Sequence, residues 1–489
     1  MKKKFVSNLI LVLFLNLLIK PFYILGIDAE VLKITELNNP GSYGNYFSLL
    51  SLTFILNIFL DLGVNNFNTR NIAQNSQLIT KHFSRIFSLR LLLGGIYLFI
   101  LLIIGFSLNY SNYQIKWLIL LGFNQILIAI ILFFRSNLSA LLKFKEDSII
   151  SVTDRLLLII FCGLILWGHV FENKITIEIF ILTQTLAYSL TAIISFVLVY
   201  RHVRIFKLSW DVPFFLMIIK KSFPFALLIF LMSIYYYSDA VMLERIHPRG
   251  DVESASYAHG YRFFMAFNMI GFLFASLLLP IFSKMLKNKE DIKSITWLSF
   301  KLIFCFSIII GISVWFFSND ILNWRYQLIN EQLSHSSKSF EWLCLSFIAI
   351  SCTYIFGTLL TAKGEMKFLN ILAGIGVLIN IILNIILIPI NGAEGAAFAS
   401  MITQYFTLIF QLIIFIKLFG LKLKFEKLFQ ILIFSIVCCI TPLFYSLFEM
   451  KWPYSFILSI ISMSAFAFII QLIKIKDSLK LLQQYRSKL

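Results

Sequence analysis

Residues 233–284 read SIYYYSDAVMLERIHPRGDVESASYAHGYRFFMAFNMIGFLFASLLLPIFSK. Two apolar spans, one ending near Ile246 and one beginning near Ser256, are joined by a short polar connection, and each carries an ionisable residue at the same end: Asp239 and Arg262. A charge inside an apolar span costs about 2.5 to 3.5 kcal/mol even on the mildest insertion scales, so such residues face water, a partner or a cavity. The stretch therefore predicts two membrane helices bordering a cavity, with the remaining chain as its walls.

The flanking sequence agrees. Of 489 residues, 59% are hydrophobic and only 13% charged, about half the charge of a soluble domain. Charge-free runs such as Leu91–Ile115, Phe368–Asn391 and Trp452–Leu472 reach the roughly 18 residues that mark a membrane span. Cutting at loops that hold charges, Gly, Pro and Asn predicts an all-α membrane protein with about fourteen spans: 5–27, 43–64, 86–107, 115–134, 150–170, 177–200, 222–243, 256–282, 295–317, 339–361, 367–389, 393–416, 427–447 and 453–473. Met1-Lys2-Lys3-Lys4 precedes the first of these, which is too long for a signal peptide and lacks a small-residue cleavage site, so it is a retained span.

The net charge of +18 is distributed by side. Connections sharing the side of the N-terminus carry Arg70, Arg85, Arg135, Lys143, Arg201, Lys220, Lys284, Lys363 and Lys424, whereas the other side holds few cations and more acids: Asp28, Glu30, Lys33 and Glu36, then Glu244, Arg245, Arg249, Asp251 and Glu253. The positive-inside rule places both termini in the cytoplasm of a cell whose plasma membrane the chain crosses. The basic charge is thus topological, and no nucleic-acid partner is expected. Six cysteines lie inside apolar spans without CxxC spacing, which indicates neither a disulfide framework nor a metal site.

An internal repeat is visible. Gly41-Ser42-Tyr43-Gly44 recurs as Ala255-Ser256-Tyr257-Ala258, a shift of 214; Leu141-Leu142-x-x-Lys145 as Leu359-Leu360-x-x-Lys363, a shift of 218; and Thr183-Gln184 as Thr403-Gln404, a shift of 220. Three matches in order, with slowly growing offsets, predict two six-helix bundles of the same orientation, residues 1–205 and 206–420, with two further helices and a basic tail in 421–489. Parallel repeats of this kind are a transporter arrangement, with a substrate site near the midplane.

The candidate functional residues are the polar groups inside spans. Lys20 is followed by Pro21, which removes a backbone donor and kinks a helix; it either lines the cavity or snorkels to the outer surface. Asp239 and Arg262 either pair with each other or face the cavity. Asp61, Arg70, Gln184 and Gln404 are secondary candidates for cavity or gate positions. Asp154-Arg155, at the start of the fifth predicted span, reads as an interfacial pair. No Walker loop, GxSxG or HExxH occurs, and the acids of Asp28-Ala29-Glu30 read as a solvated loop edge, so no catalytic residues and no cofactor are expected.

A resemblance runs through nearly the whole chain. Its carriers are Asn38-Asn39-Pro40-Gly41-Ser42-Tyr43-Gly44, Asp61-Leu62-Gly63 with Thr69-Arg70-Asn71-Ile72-Ala73, Tyr237-Ser238-Asp239-Ala240-Val241-Met242-Leu243, Ala362-Lys363-Gly364-Glu365, and Asn384-Ile385-Ile386-Leu387-Ile388-Pro389 leading to Gly395-Ala396-Ala397. As a set these resemble the polysaccharide (O-antigen type) flippases of the multidrug/oligosaccharidyl-lipid/polysaccharide (MOP) exporter superfamily. The resemblance implies two MATE-like six-helix lobes that alternate access, located in the bacterial inner membrane. The implied substrate is an undecaprenyl-pyrophosphate-linked oligosaccharide, with polysaccharide polymerase and chain-length machinery as candidate partners. It also implies cations on the first, second and eighth helices; Lys20 and Arg262 look like the first and eighth, but residues 43–64 hold no cation. A multidrug exporter of the same superfamily is the alternative, and a membrane glycosyltransferase or polymerase, which would need a large outer loop, a more distant one.

Overall fold

The computed structural model describes residues 15–65, 68–69, 72, 77–141, 143–168, 175–203, 208–420 and 425–472. Among them every regular element is helical. The predicted tail, the arginine at position 70 and the first ten residues of the first predicted span lie outside the described residues.

Two compact units divide the chain, Met1–Ala255 and Ser256–Leu489. In the first, a helical segment over 15–22 runs into a π-helical turn, Tyr23–Asp28, immediately after Pro21. Proline supplies no N–H, so the segment before the turn lacks one bond of its ladder. There follow α1 (Ala29–Asn38), α2 (Ser42–Ile55), the single turn α3 (Ile58–Asp61), α4 (Leu78–Ser107), α5 (Asn112–Ala140), α6 (Phe144–Trp167), α7 (Ile177–Tyr200) and α8 (Val212–Ile246). Starts are set by side chains that take orphaned amides. Ser111 and Gln114 form a capping box on α5, Thr176 caps α7, and Asp211 caps α8.

α9 (Gly250–Lys287) begins in the first unit and continues in the second. The second unit adds α10 (Lys293–Phe316), α11 (Ser318–Tyr326), α12 (Asn330–Lys363), α13 (Met366–Phe419), α14 (Phe425–Ser446) and α15 (Trp452–Ile469). Two apolar cores hold it. One joins Leu278 and Phe282 of α9 to Ile303 of α10, Phe356 of α12 and Phe415 of α13. The other seats the last two helices, through Phe434, Cys438, Met463 and Ala467, on Cys305, Ile308 and Ile312 of α10. The cysteines here serve as small apolar packing residues.

Eleven helices among the described residues are long and apolar enough to cross a membrane. One of them, α13, contains two predicted spans: its path breaks at Gly392, whose φ of 52° and ψ of −128° lie outside the helical range and suit glycine alone. The second predicted span is interrupted rather than continuous. α2 stops at Ile55, and after α3 the chain turns through Leu62 and Gly63, both with positive φ.

Thr183 in α7 and Thr403 in α13 each donate to the carbonyl four residues back, Ile179 at 2.7 Å and Ala399 at 2.9 Å, a bond that Thr191, Thr296 and Thr353 make as well. Within the first unit, the start of α2 meets the start of α9. The peptide oxygen of Asp251 lies where a Cβ on Gly44 would stand, and Ser254 Oγ donates to the Gly44 carbonyl at 3.2 Å. Small residues permit this backbone approach. Gly44→Ala is expected to destabilise the purified protein by ~1–3 kcal/mol, the usual cost of overpacking. Gly95→Ala, where an added methyl meets nothing within 4 Å, should leave the detergent melting temperature unchanged or slightly raised.

Candidate functional site

The polar interior of the first unit is built around the bend after Lys20. Asp28, expected on a solvated edge, is 5% exposed and accepts a hydrogen bond from the Tyr43 hydroxyl at 2.7 Å. The Tyr43 ring meets Tyr46 edge-on at 5.2 Å, and Gln184 Nε2 donates to the Tyr46 hydroxyl at 2.8 Å. Asp28 and Gln184 therefore hold opposite ends of a tyrosine pair on α2.

Asp154 and Arg155 lie in the middle of α6, not at its start, because the helix begins at Phe144, six residues before the predicted span. The Arg155 guanidinium stands over the rings of Tyr23, 4.7 Å from the centroid, and Tyr188, at 5.7 Å. It donates through Nη1 to the Tyr188 hydroxyl at 3.0 Å and lies 3.6 Å from Asp154. Arg135 is bonded to Asp147 at 2.7 Å. Arg155, which the sequence reading places at the membrane surface, thus packs on Tyr23, three residues beyond Lys20. The missed signal is that Glu146 and Asp147 are good first-turn residues, which moves the helix start toward the N-terminus and Arg155 inward.

Asp239 is buried on α8 in the first unit; Arg262 is buried on α9 in the second, with Nη1 3.6 Å from Met265 Sδ. Asp61 accepts from Arg90 Nη2 and from the Asn65 N–H at 3.2 Å, while Arg90 Nη1 donates to the Leu60 carbonyl at 2.6 Å. Gln404 is buried on α13. Asn384 donates to Asn380 on the same helix at 3.3 Å, as their spacing of one turn requires. Among the described residues no group of three or more His, Cys, Asp or Glu side chains is placed to hold a metal ion.

The end bearing the acidic connections is closed in the first unit by a second polar cluster. Glu36 accepts the N–H groups of Gly41 at 2.8 Å and Tyr43 at 2.7 Å, and the Asp251 carboxylate lies against Gly41. Nearby, Gln114 Nε2 bridges Asn45 at 3.0 Å and Glu244 at 2.9 Å, and Arg245 pairs with Glu244, donates to the Leu108 carbonyl at 2.9 Å and covers the Tyr110 ring. Two helix N-termini converge here, each with a partial positive charge, and the two carboxylates sit where that charge favours them.

Similar proteins share this architecture. A family model described as Polysaccharide biosynthesis protein matches residues 39–286, just over half of the chain, and one described as MatE matches residues 224–386. Among solved structures, the lipid II flippase MurJ in an inward closed conformation aligns with a TM-score of 0.71 at 16% identity, covering 96% of this chain and 100% of that one. An inward-facing multidrug resistance MATE family transporter of the MOP superfamily aligns with a TM-score of 0.59 at 13% identity, covering 83% and 96%. A MOP superfamily transporter from Pyrococcus furiosus, described by the reverse polarity of its binding pocket, gives 0.58 at 13%, covering 86% and 97%. A search of curated protein sequences found no match. The fold is the one these flippase and transporter structures share. The chain belongs to the Polysaccharide biosynthesis protein family.

Burial pushes the Glu36 carboxyl up to about 7, against the pull of its backbone N–H donors and with Asp251 adding to the rise. The folded protein therefore holds this proton more tightly than the unfolded chain, and the stability it contributes is complete below the ordinary carboxyl range and lost as pH rises through 7. The melting temperature should fall between pH 5 and pH 8. In Glu36→Gln that slope should be smaller, whatever the change in absolute stability; an equal slope would assign the pH dependence elsewhere.

Proposed function

We propose that the protein moves polyprenyl-pyrophosphate-linked oligosaccharide repeat units from the cytoplasmic to the outer leaflet for surface polysaccharide synthesis. The match of residues 39–286 to the Polysaccharide biosynthesis protein family carries this reading, and the likeness of the fold to a lipid II flippase supports it. The physical need is plain: each unpaired hydroxyl of a sugar chain moved into hydrocarbon costs several kcal/mol, about 4 to 8 against an alkane reference, so unassisted flipping is negligible.

In this proposal two six-helix lobes, 1–205 and 206–420, alternate access around a wet cleft. The headgroup enters from the cytoplasmic side while the polyprenyl tail stays in lipid. Lys20 and Arg262 attract the pyrophosphate, Asp239 positions Arg262 or takes part in ion coupling, and Asp61, Gln184, Gln404 and the arginine at position 70 line the path or its gates. Both termini are cytoplasmic. The membrane potential assists, because an anion leaving a negative interior gains about 2.3 kcal/mol per charge per 100 mV. No bond is made or broken.

Lys20→Ala or Arg262→Ala, each inserting normally, is expected to lower surface-polysaccharide output by roughly 10- to 100-fold, the effect of losing a hydrogen bond to a charged group. Full output from both would contradict the assignment. The match of residues 224–386 to MatE favours a second reading, export of drugs or other cations. That reading predicts drug hypersensitivity with normal surface polysaccharide in a deletion strain, the reverse of the pattern expected here.

A further inference from the structure

α8 opens the second sequence repeat, yet it is built into the first unit. Its 35 residues extend about 50 Å, and they meet the first repeat at the start, the middle and the end of the helix. At the start, on the side of the basic connections, the Ser209 N–H donates to Ser88 Oγ at 3.0 Å and Asp211 pairs with Arg85 at 2.8 Å. Phe214 lies beneath the Arg85 guanidinium and against the His82 ring. In the middle, Phe230 meets Phe59 edge-on, and Tyr237 stacks on Phe54 with centroids 4.9 Å apart. At the end, Glu244 accepts from Gln114 and Arg245 donates to the Leu108 carbonyl.

No single one of these contacts is strong, since a part-exposed ion pair such as Arg85–Asp211 contributes little. Their placement is what matters. A helix held at one end can swing about that end, but one held at both ends and in the middle moves only if all three sets break together. Packed interfaces switch between discrete arrangements and do not stretch. The partners come from α2, α3, α4 and α5, so four elements of the first repeat fix the helix. The tie continues into the first turns of α9, where Ser254 bonds the Gly44 carbonyl. The second unit begins two residues later, at Ser256.

We infer that the boundary between the two moving bodies falls between Ala255 and Ser256, not between residues 205 and 206, and that α8 is a fixed wall of the first body. This rests on the flippase reading and deepens it by naming its moving parts. The repeat divides the chain by sequence similarity, whereas the contacts divide it by what travels together. Asp239 then moves with the first body and Arg262 with the second. The connection between α7 and α8 is no hinge, and α9 is the one covalent link between the bodies.

The test measures distances between paired spin labels on the full-length protein in nanodiscs, at pH 5 and pH 8, with and without farnesyl pyrophosphate. The exposed Cys439 is first changed to Ser, and labels are attached to cysteines introduced at exposed positions, in variants that insert normally. Two pairs report on α8 against the first repeat: Ile149 with Val212 at the basic end, and Tyr113 with Arg249 at the acidic end. Two reference pairs join the first unit to the second, Ile149 with Asn288 and Tyr113 with Ile329. The reference distances should shift or split into two populations across the four conditions, while both α8 pairs keep one narrow distance. An α8 pair that shifts along with its reference pair would overturn the inference and leave the flippase reading intact. Reference distances that stay single and narrow under all four conditions would contradict two alternating bodies, and with them the flippase reading itself.

Discussion

Hydrocarbon tolerates an ionised group only where water, a counter-charge or a ligand meets it, and the first unit is arranged around that constraint. Arg90 is buried against Asp61, Asn65 and the Leu60 carbonyl at the broken end of α2 and α3. Arg135 has Asp147. Asp28 is satisfied by Tyr43, and Glu36 by the backbone of the turn that starts α2. The irregular backbone lies close to polar side chains: Asp28 ends the π turn and Asn57 follows the end of α2.

Much of this was legible from sequence because hydropathy and charge asymmetry are properties of many residues at once. The long helices fall where apolar runs predict them. Single positions were harder. Asp154-Arg155 was misplaced because a span cut at its first apolar residue ignores the polar turn that still belongs to the helix. The burial of Asp28 was invisible because its partner, Tyr43, is fifteen residues away across a turn. Gly44 stood out only as part of a repeat; that Asp251 passes over it is a tertiary fact. The break in α13, by contrast, was readable, since Pro389 and Gly392 punctuate the sequence where φ turns positive.

A fold shared by flippases and drug exporters does not choose a substrate; the side chains at the site do. A drug exporter needs acids for its cationic cargo. In the first unit the residues around the Pro21 bend combine Arg155 with the faces of Tyr23 and Tyr188 and with the carboxylates of Asp154 and Asp28.

The most direct measurement of the central claim is leaflet transfer in reconstituted liposomes. A fluorescent polyprenyl-pyrophosphate oligosaccharide is placed in both leaflets, and the outer pool is consumed by an enzyme that cannot cross the bilayer. With the protein present, the protected inner pool should become accessible, and a membrane potential that drives anions toward the outer leaflet should speed this. An inner pool that stays protected, with correctly folded protein in the membrane, would contradict the account.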